Sequence, residues 1–309
     1  MSTWRPQCEV EIVAGTPPGG GLDRTARALV RVIESQRLLD VPVKVTNIPG
    51  AGGRNAWACI DRHPGDPHML SIGSPNLTTD HLVGIAGFDY NAFTPLAILY
   101  MEYIAFVVRA DSPIKNGADL LQRLGADTGS FTVALATAIG NANHIALAKV
   151  IRHAGGDVKA PKIRVFDSAL DAVADVVAGN ADAGAISAAS AVKELAAGTV
   201  RALAVSASER LRGPYEQVPT WTEQMVDCVI GAWRGVGGAR GLTSAQIAFW
   251  ENAFASATAS EEWNAELARH YWTPMYLDGA SLREHLQRER TDMQVILGDL
   301  GLLDPGVNE

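Results

Sequence analysis

The side chains that could do chemistry gather in five short segments: Pro17 to Gly21, Pro49 to Gly53, Ser74 to Thr79, Thr137 to Asn143 and Ser187 to Ser190. Each is polar or glycine-rich, and each follows an apolar run of strand character. A helix that starts after such a loop offers unpaired backbone N–H groups and about half a positive charge, which suits an anion. Glycine permits close backbone approach, so Gly19-Gly20-Gly21 could cradle a carboxylate without any arginine. An ordinary strand-to-helix turn has the same composition, and spacing alone leaves both readings open.

Other chemistries find no footing. A phosphate-binding loop requires GxxxxGK followed by Ser or Thr, and a dinucleotide fingerprint requires GxGxxG; Gly15 to Asp23 has neither spacing. GxSxG, HExxH and a cysteine in a nucleophile setting are also missing, so no catalytic residue is assigned. His144, in the first turn of a helix, reads as a packing or hydrogen-bonding residue before it reads as a base. Asp23 and Asp167 could cap helices or border a cleft, with capping preferred for Asp23. Trp233 could cover the mouth of a cleft or fill a core. Arg54 and Arg234 lie near these loops and either could meet a ligand carboxylate, an internal ion pair being preferred for Arg54. Cys8, Cys59 and Cys228 show no CxxC spacing and no neighbouring histidine cluster, so neither metal nor cofactor is expected.

The elements that must position these loops alternate. Val10 to Ala14 is a strand, and Ala26, Leu29, Val30 and Ile33 then fall at helical spacing. Val41, Val43 and Val45 form a second strand, a short helix holds Ala56 and Ile60, and Met69 to Gly73 is a third strand. Strands near Leu96 to Leu99 and Ile104 to Val108 lead to a second lobe, where the alternation resumes. Its strands are Phe131 to Leu135, Ile163 to Phe166, Ala183 to Ile186 and Leu203 to Val205. Ser168 with Asp171, and Thr243 with Gln246, have capping-box spacing. Val229 to Trp233 and the glycines to Gly241 read as the return crossing, followed by helices through Phe254, from Glu261 to His270 and from Ser281 to about Leu297. Such alternation argues for parallel α/β sheets with ligands outside the strands' carboxyl ends. The expected domains are residues 1–108 with 231–309, and residues 109–230, with a ligand cleft between them.

Composition narrows the partners. The 309 residues carry 26 basic and 34 acidic side chains, a net charge of −8, with no long run of either sign. A nucleic-acid surface shows a basic stripe and an anionic membrane attracts a polybasic segment, so neither partner is expected. No stretch reaches the roughly 18 consecutive apolar residues of a membrane span. The opening Met1-Ser2-Thr3-Trp4-Arg5-Pro6 has no charged segment followed by an apolar core, so these residues do not read as a secretory signal.

Several segments, in order along nearly the whole chain, resemble the Bug or TctC-like family. They are Pro18-Gly19-Gly20 with Asp23 and Ala26-Arg27, Asn47 to Gly53, Phe93 to Ala97, Gly140-Asn141 before His144, Gly198 to Val205, Val218-Pro219-Thr220 and Trp233-Arg234-Gly235. The resemblance implies an α/β, two-lobed periplasmic-binding-protein fold of the Venus flytrap type, each lobe a mostly parallel sheet flanked by helices. It implies a monomeric extracytoplasmic solute-binding protein that delivers a small organic carboxylate to the membrane components of a tripartite tricarboxylate transporter. Carried onto this sequence, the family's contacts fall at Pro18, Gly19, Gly20, Ser74, Asn76, Thr137, Asn141, Ser187 and Trp233. Ser74-Pro75-Asn76-Leu77 departs from the commoner Gly-Thr and His-bearing loop. Phe166-Asp167-Ser168-Ala169 replaces a Tyr-Lys-Gly-Gly segment, exchanging a base for an acid. A mono- or dicarboxylate, aromatic ones included, is therefore expected before a tricarboxylate, whose buried charges would lack cations. A cytoplasmic ligand sensor of the same fold, and an enzyme using His144 as base, are the alternatives.

Overall fold

The computed structural model describes residues 4–308; the outermost residues of the domain expectation, 1–3 and 309, lie outside them. The first half of the chain forms β1 (Val10–Ala14), α1 (Gly21–Ser35), β2 (Val43–Asn47), α2 (Arg54–Asp61), β3 (Met69–Gly73), α3 (Asn76–Leu82), β4 (Thr94–Arg109), α4 (Gly117–Asp127), β5 (Thr132–Ala136) and α5 (Ala142–His153). The second forms β6 (Lys162–Phe166), α6 (Ala169–Val177), β7 (Ala183–Ser187), α7 (Ala188–Ala196), β8 (Val200–Val205), β9 (Gly231–Gly238), α8 (Ser244–Thr258), α9 (Glu261–His270), β10 (Thr273–Asp278) and α10 (Gly279–Asp299). The polar stretches at Ser74 and Ser187 are shorter than expected, because α3 and α7 start within them.

Two compact units result. One holds the chain up to Met101 with Trp233–Gln294, the other Glu102–Ala232 with the chain from Val295 onward. The boundaries lie a few residues from the expected ones at both crossings, and two features of the chain account for the larger differences. First, the two strands expected near Leu96 and Ile104 are one strand of 16 residues, β4, whose beginning pairs with β10 and whose end pairs with β7 and β8. Second, the carboxyl-terminal segment belongs to the second unit, where Arg152 donates a hydrogen bond to the Asp299 carbonyl.

In the first unit β1 is central, parallel to β2 (Ile12 opposite Val45) and to β3 (Ile12 opposite Leu70). Val10, Ile12, Val13 and Ala14 are fully buried, as in a parallel strand covered on both faces. α1 buries Leu22, Ala26, Leu29 and Ile33 at three- and four-residue spacing. The returning strands are antiparallel: β9 pairs β3 with Ile72 opposite Val236, and β10 pairs β4. In the second unit β5 is parallel to both β6 and β7, while β4 runs antiparallel to β7 and β8. Each sheet is thus mixed, with its three parallel strands carrying the loops of interest. The second unit's core is built from alanine and valine, including Ala105, Val107, Ala134, Ala172, Val173 and Val176, which lets helices lie close on the sheet.

Trp233 belongs to the first unit's core, packed with Ile98, Leu282 and Leu286, and its indole N–H donates to Glu289 at 2.7 Å. Burial raises the Glu289 carboxyl from 4.5 to about 7, with the Trp233 bond only partly offsetting this. A raised folded-state value means the native state holds more protons than the unfolded chain between pH 4.5 and 7, so this group's contribution to stability falls as pH rises through that window. Glu289→Gln is expected to remove that part of the slope, gaining on the order of 1–2 kcal/mol over wild type between pH 5 and 8. Urea unfolding of both proteins at the two pH values checks this; parallel pH curves would refute it.

Candidate ligand-binding site

Because β2, β1 and β3 are parallel, their carboxyl ends share one edge of the first unit's sheet, and the loops after them are neighbours. A Cβ on Gly15 would lie 2.8 Å from the Gly53 Cα, so the first loop passes the second only as glycine. Residues Gly50, Ala51, Gly52 and Gly53 all have positive φ (104, 50, 65 and 98°), a run of left-handed backbone that turns the chain directly into α2.

Asp23 organises the first loop. Its carboxylate accepts from the Gly19 N–H at 2.8 Å, from Arg27 Nε at 2.9 and 3.0 Å, and from Asn47 Nδ2 at 2.9 Å. Burial by itself would raise its pKa; the Arg27 hydrogen bond, the Gly19 N–H and the Asn47 amide outweigh that and hold it below 3.8. Asn47 also donates to the Thr16 carbonyl at 2.9 Å, and Arg24 donates to the Gly19 carbonyl at 3.2 Å. Asp23 is therefore a brace for the loop, and Gly20 is the residue that caps α1. Among the described residues the Gly21 and Leu22 N–H groups at the start of α1 have no protein acceptor. Pro18 is exposed, Gly19 half-buried and Gly20 buried at this turn.

Ser74 and Asn76 join the same edge. Ser74 Oγ accepts from the Asn76 N–H at 3.4 Å, and Asn76 Nδ2 reaches the Gly52 carbonyl at 3.5 Å. Beside them Arg54 donates to Asp80 Oδ2 at 2.8 Å, the internal pair expected for this arginine. Arg234 lies along the return strand, donating to the Trp233 carbonyl at 3.1 Å, near Gly21.

The second unit repeats the logic with β6, β5 and β7. Asn141 caps α5 by accepting from the His144 N–H at 3.1 Å and donates through Nδ2 to the Ala136 carbonyl and to Thr137 Oγ1, both at 2.7 Å. Thr137 has φ of 68°, a left-handed conformation that is strained for a β-branched residue and persists only where neighbours over-determine it. Ser187 Oγ donates to Glu102 and lies 3.2 Å from Ser190 Oγ; all three residues are buried. His144 Nδ1 accepts from the Gly140 N–H at 2.9 Å, and burial lowers its pKa to about 4. It is a neutral brace whose remaining nitrogen carries the proton.

The structure therefore places Pro18, Gly19, Gly20, Ser74 and Asn76 together in the first unit, and Thr137, Asn141 and Ser187 at the corresponding edge of the second. Trp233, on β9, packs with Ile98, Leu282 and Leu286 in the first unit's core. Sequence reasoning missed Asn47 and Glu102. A glutamate inside the apolar run Ile98 to Val108 was the available signal for Glu102. No group of three or more His, Cys, Asp or Glu side chains among the described residues could hold a metal ion. Cys228 is buried, its thiol pushed up to about 12 by burial.

A family model described as tripartite tricarboxylate transporter family receptor, TctC, matches residues 27–302. The chain belongs to the TctC family. A TctC solute-binding protein from Polaromonas is 25% identical, with a TM-score of 0.68 over 95% of this chain and 99% of that one. MatC from Rhodopseudomonas palustris, solved with bound malate, is 23% identical, with a TM-score of 0.81 over 94% and 99%. A further R. palustris protein, solved with adipate, is 21% identical, with a TM-score of 0.86 over 96% and 98%. No curated protein matches the sequence. This TctC-family chain is thus a solute-binding protein with the periplasmic-binding-protein fold, and among its described residues no helix is long and apolar enough to cross a membrane.

Proposed function

We propose that this TctC-family protein captures a small organic carboxylate in the periplasm and delivers it, as a monomer, to the membrane components of a tripartite tricarboxylate transporter. The observation that carries this reading is the pair of unpaired N–H groups, Gly21 and Leu22, at the start of the 15-residue helix α1. There the helix dipole and two donors favour an anion, and the Asp23 brace fixes their geometry beforehand. One carboxylate binds at Pro18, Gly19 and Gly20, and Ser74, Asn76, Thr137, Asn141 and Ser187 supply further polar contacts to the ligand. The malate and adipate held by the related proteins favour a dicarboxylate. Catalysis is not part of the proposal, since His144 uses its lone pair on the Gly140 N–H and offers no basic nitrogen.

The test is a thermal-stability screen of the purified protein against aliphatic and aromatic carboxylates with neutral analogues as controls. A ligand at 100 times its dissociation constant adds about 2.7 kcal/mol to folding stability. Stabilisation by a carboxylate but not by its amide is the expected result; no response to any carboxylate sinks the reading.

A further inference from the structure

Behind Ser74 and Asn76 lies a small cavity of about 10 Å³, bordered also by Gly53, Arg54, Leu22 and Asp80. Asp80 is 1% exposed, and its two carboxylate oxygens are treated differently. Oδ2 receives Arg54 Nη1 at 2.8 Å, whereas Oδ1 is buried with no protein donor. A buried acceptor left in that condition is destabilising unless some donor reaches it. The cavity has room for one water-sized group and none for a carbon chain, so whatever meets Oδ1 enters as a terminal polar head. Leu22, whose N–H is one of the two unpaired donors of α1, is also among the residues that border this cavity.

Resting on the carboxylate reading above, we propose that Asp80 Oδ1 is a specificity determinant that accepts a hydrogen bond from a hydroxyl or ammonium substituent next to the ligand's carboxylate. Burial raises the Asp80 carboxyl to about 6, with Arg54 only partly offsetting this, in keeping with an acceptor that awaits a donor. Arg54 keeps the carboxylate in place and, being a cation beside the cavity, favours a neutral hydroxyl over an ammonium group. Selection would follow from the rule that a polar group left unpaired in a site discriminates strongly against the analogue lacking its partner.

The experiment compares two matched series by calorimetry: succinate, malate and aspartate, and phenylacetate, mandelate and phenylglycine. In at least one series the wild type is expected to bind the hydroxy acid at least tenfold more tightly than the unsubstituted acid, with the amino acid between them or equal to it. Asp80→Asn, which presents an amide N–H₂ or a neutral oxygen to the cavity, is expected to reduce that preference to under threefold while the unsubstituted acid keeps its affinity. Equal affinity across each series in the wild type overturns the inference whether or not the variant folds, as does a preference that survives Asp80→Asn. If no member of either series binds, the carboxylate reading falls and this inference with it.

Discussion

Asp23→Asn is expected to destabilise the protein by about 2–4 kcal/mol and to weaken carboxylate binding at least tenfold. The native carboxylate accepts from the Gly19 N–H, Arg27 and Asn47, and every one of these partners is a donor. An asparagine has only one oxygen, so either orientation of its amide sets N–H₂ against a donor and strips Arg27 of its counter-charge. The estimate stays below that of a fully buried ion pair because Arg27 is half exposed. Since the Asp23 pKa is depressed in the folded state, its stabilisation is fully present above 3.8 and is lost as pH falls through the lower folded value. The gap between wild type and variant should hold at pH 7 and close only under strong acid. Urea unfolding at several pH values together with ligand titration tests this, and a variant of wild-type stability that binds normally would show that Asp23 braces nothing.

Asn141→Ala is expected to have an effect of similar size in the second unit, about 2–4 kcal/mol. Loss of the helix cap accounts for about 1 kcal/mol, and loss of the donors to the Ala136 carbonyl and Thr137 Oγ1 for the remainder. Asn143 Nδ2, 3.3 Å from the Ala136 carbonyl, offers partial compensation and keeps the figure from rising further. With the brace gone, Thr137 is free to leave its left-handed conformation, so ligand affinity should fall along with stability. Asn141→Asp separates the two parts: it can still cap His144 N–H, but its carboxylate faces the Ala136 carbonyl. It should therefore be no more stable than the alanine variant. Recovery of wild-type stability by aspartate would mean that capping alone accounts for Asn141.

Both residues sit in segments that the sequence already marks as loops of interest, yet their roles could be read only in part. Gly140-Asn141 before a helix carries its cap in the local pattern, and Ser168 with Asp171 and Thr243 with Gln246 cap as their spacing predicts. Asp23 shows the limit. Its position three residues into a helix predicts capping, and it does bond the Gly19 N–H, but Asn47 and Arg27 complete a network that includes a residue 24 positions away. Trp233 shows the converse, because a tryptophan beside an arginine and glycines suits a cleft mouth as well as a core. What the folded chain adds is its packing and its bond to Glu289, 56 residues further along.

The sequence by itself determined the alternation of strands and helices, the placing of polar loops at strand ends and the family, since all of these rest on local spacing and short-range caps. Tertiary structure decided which polar groups hold the loops in shape: Asp23 with Asn47, Arg54 with Asp80, and Ser187 with Glu102, 85 residues apart. It also decided that one long strand, β4, serves two sheets. The physical reason is that a buried polar group must find its partner wherever strand order brings one within about 3 Å, and strand order is a property of the folded chain that no local spacing encodes.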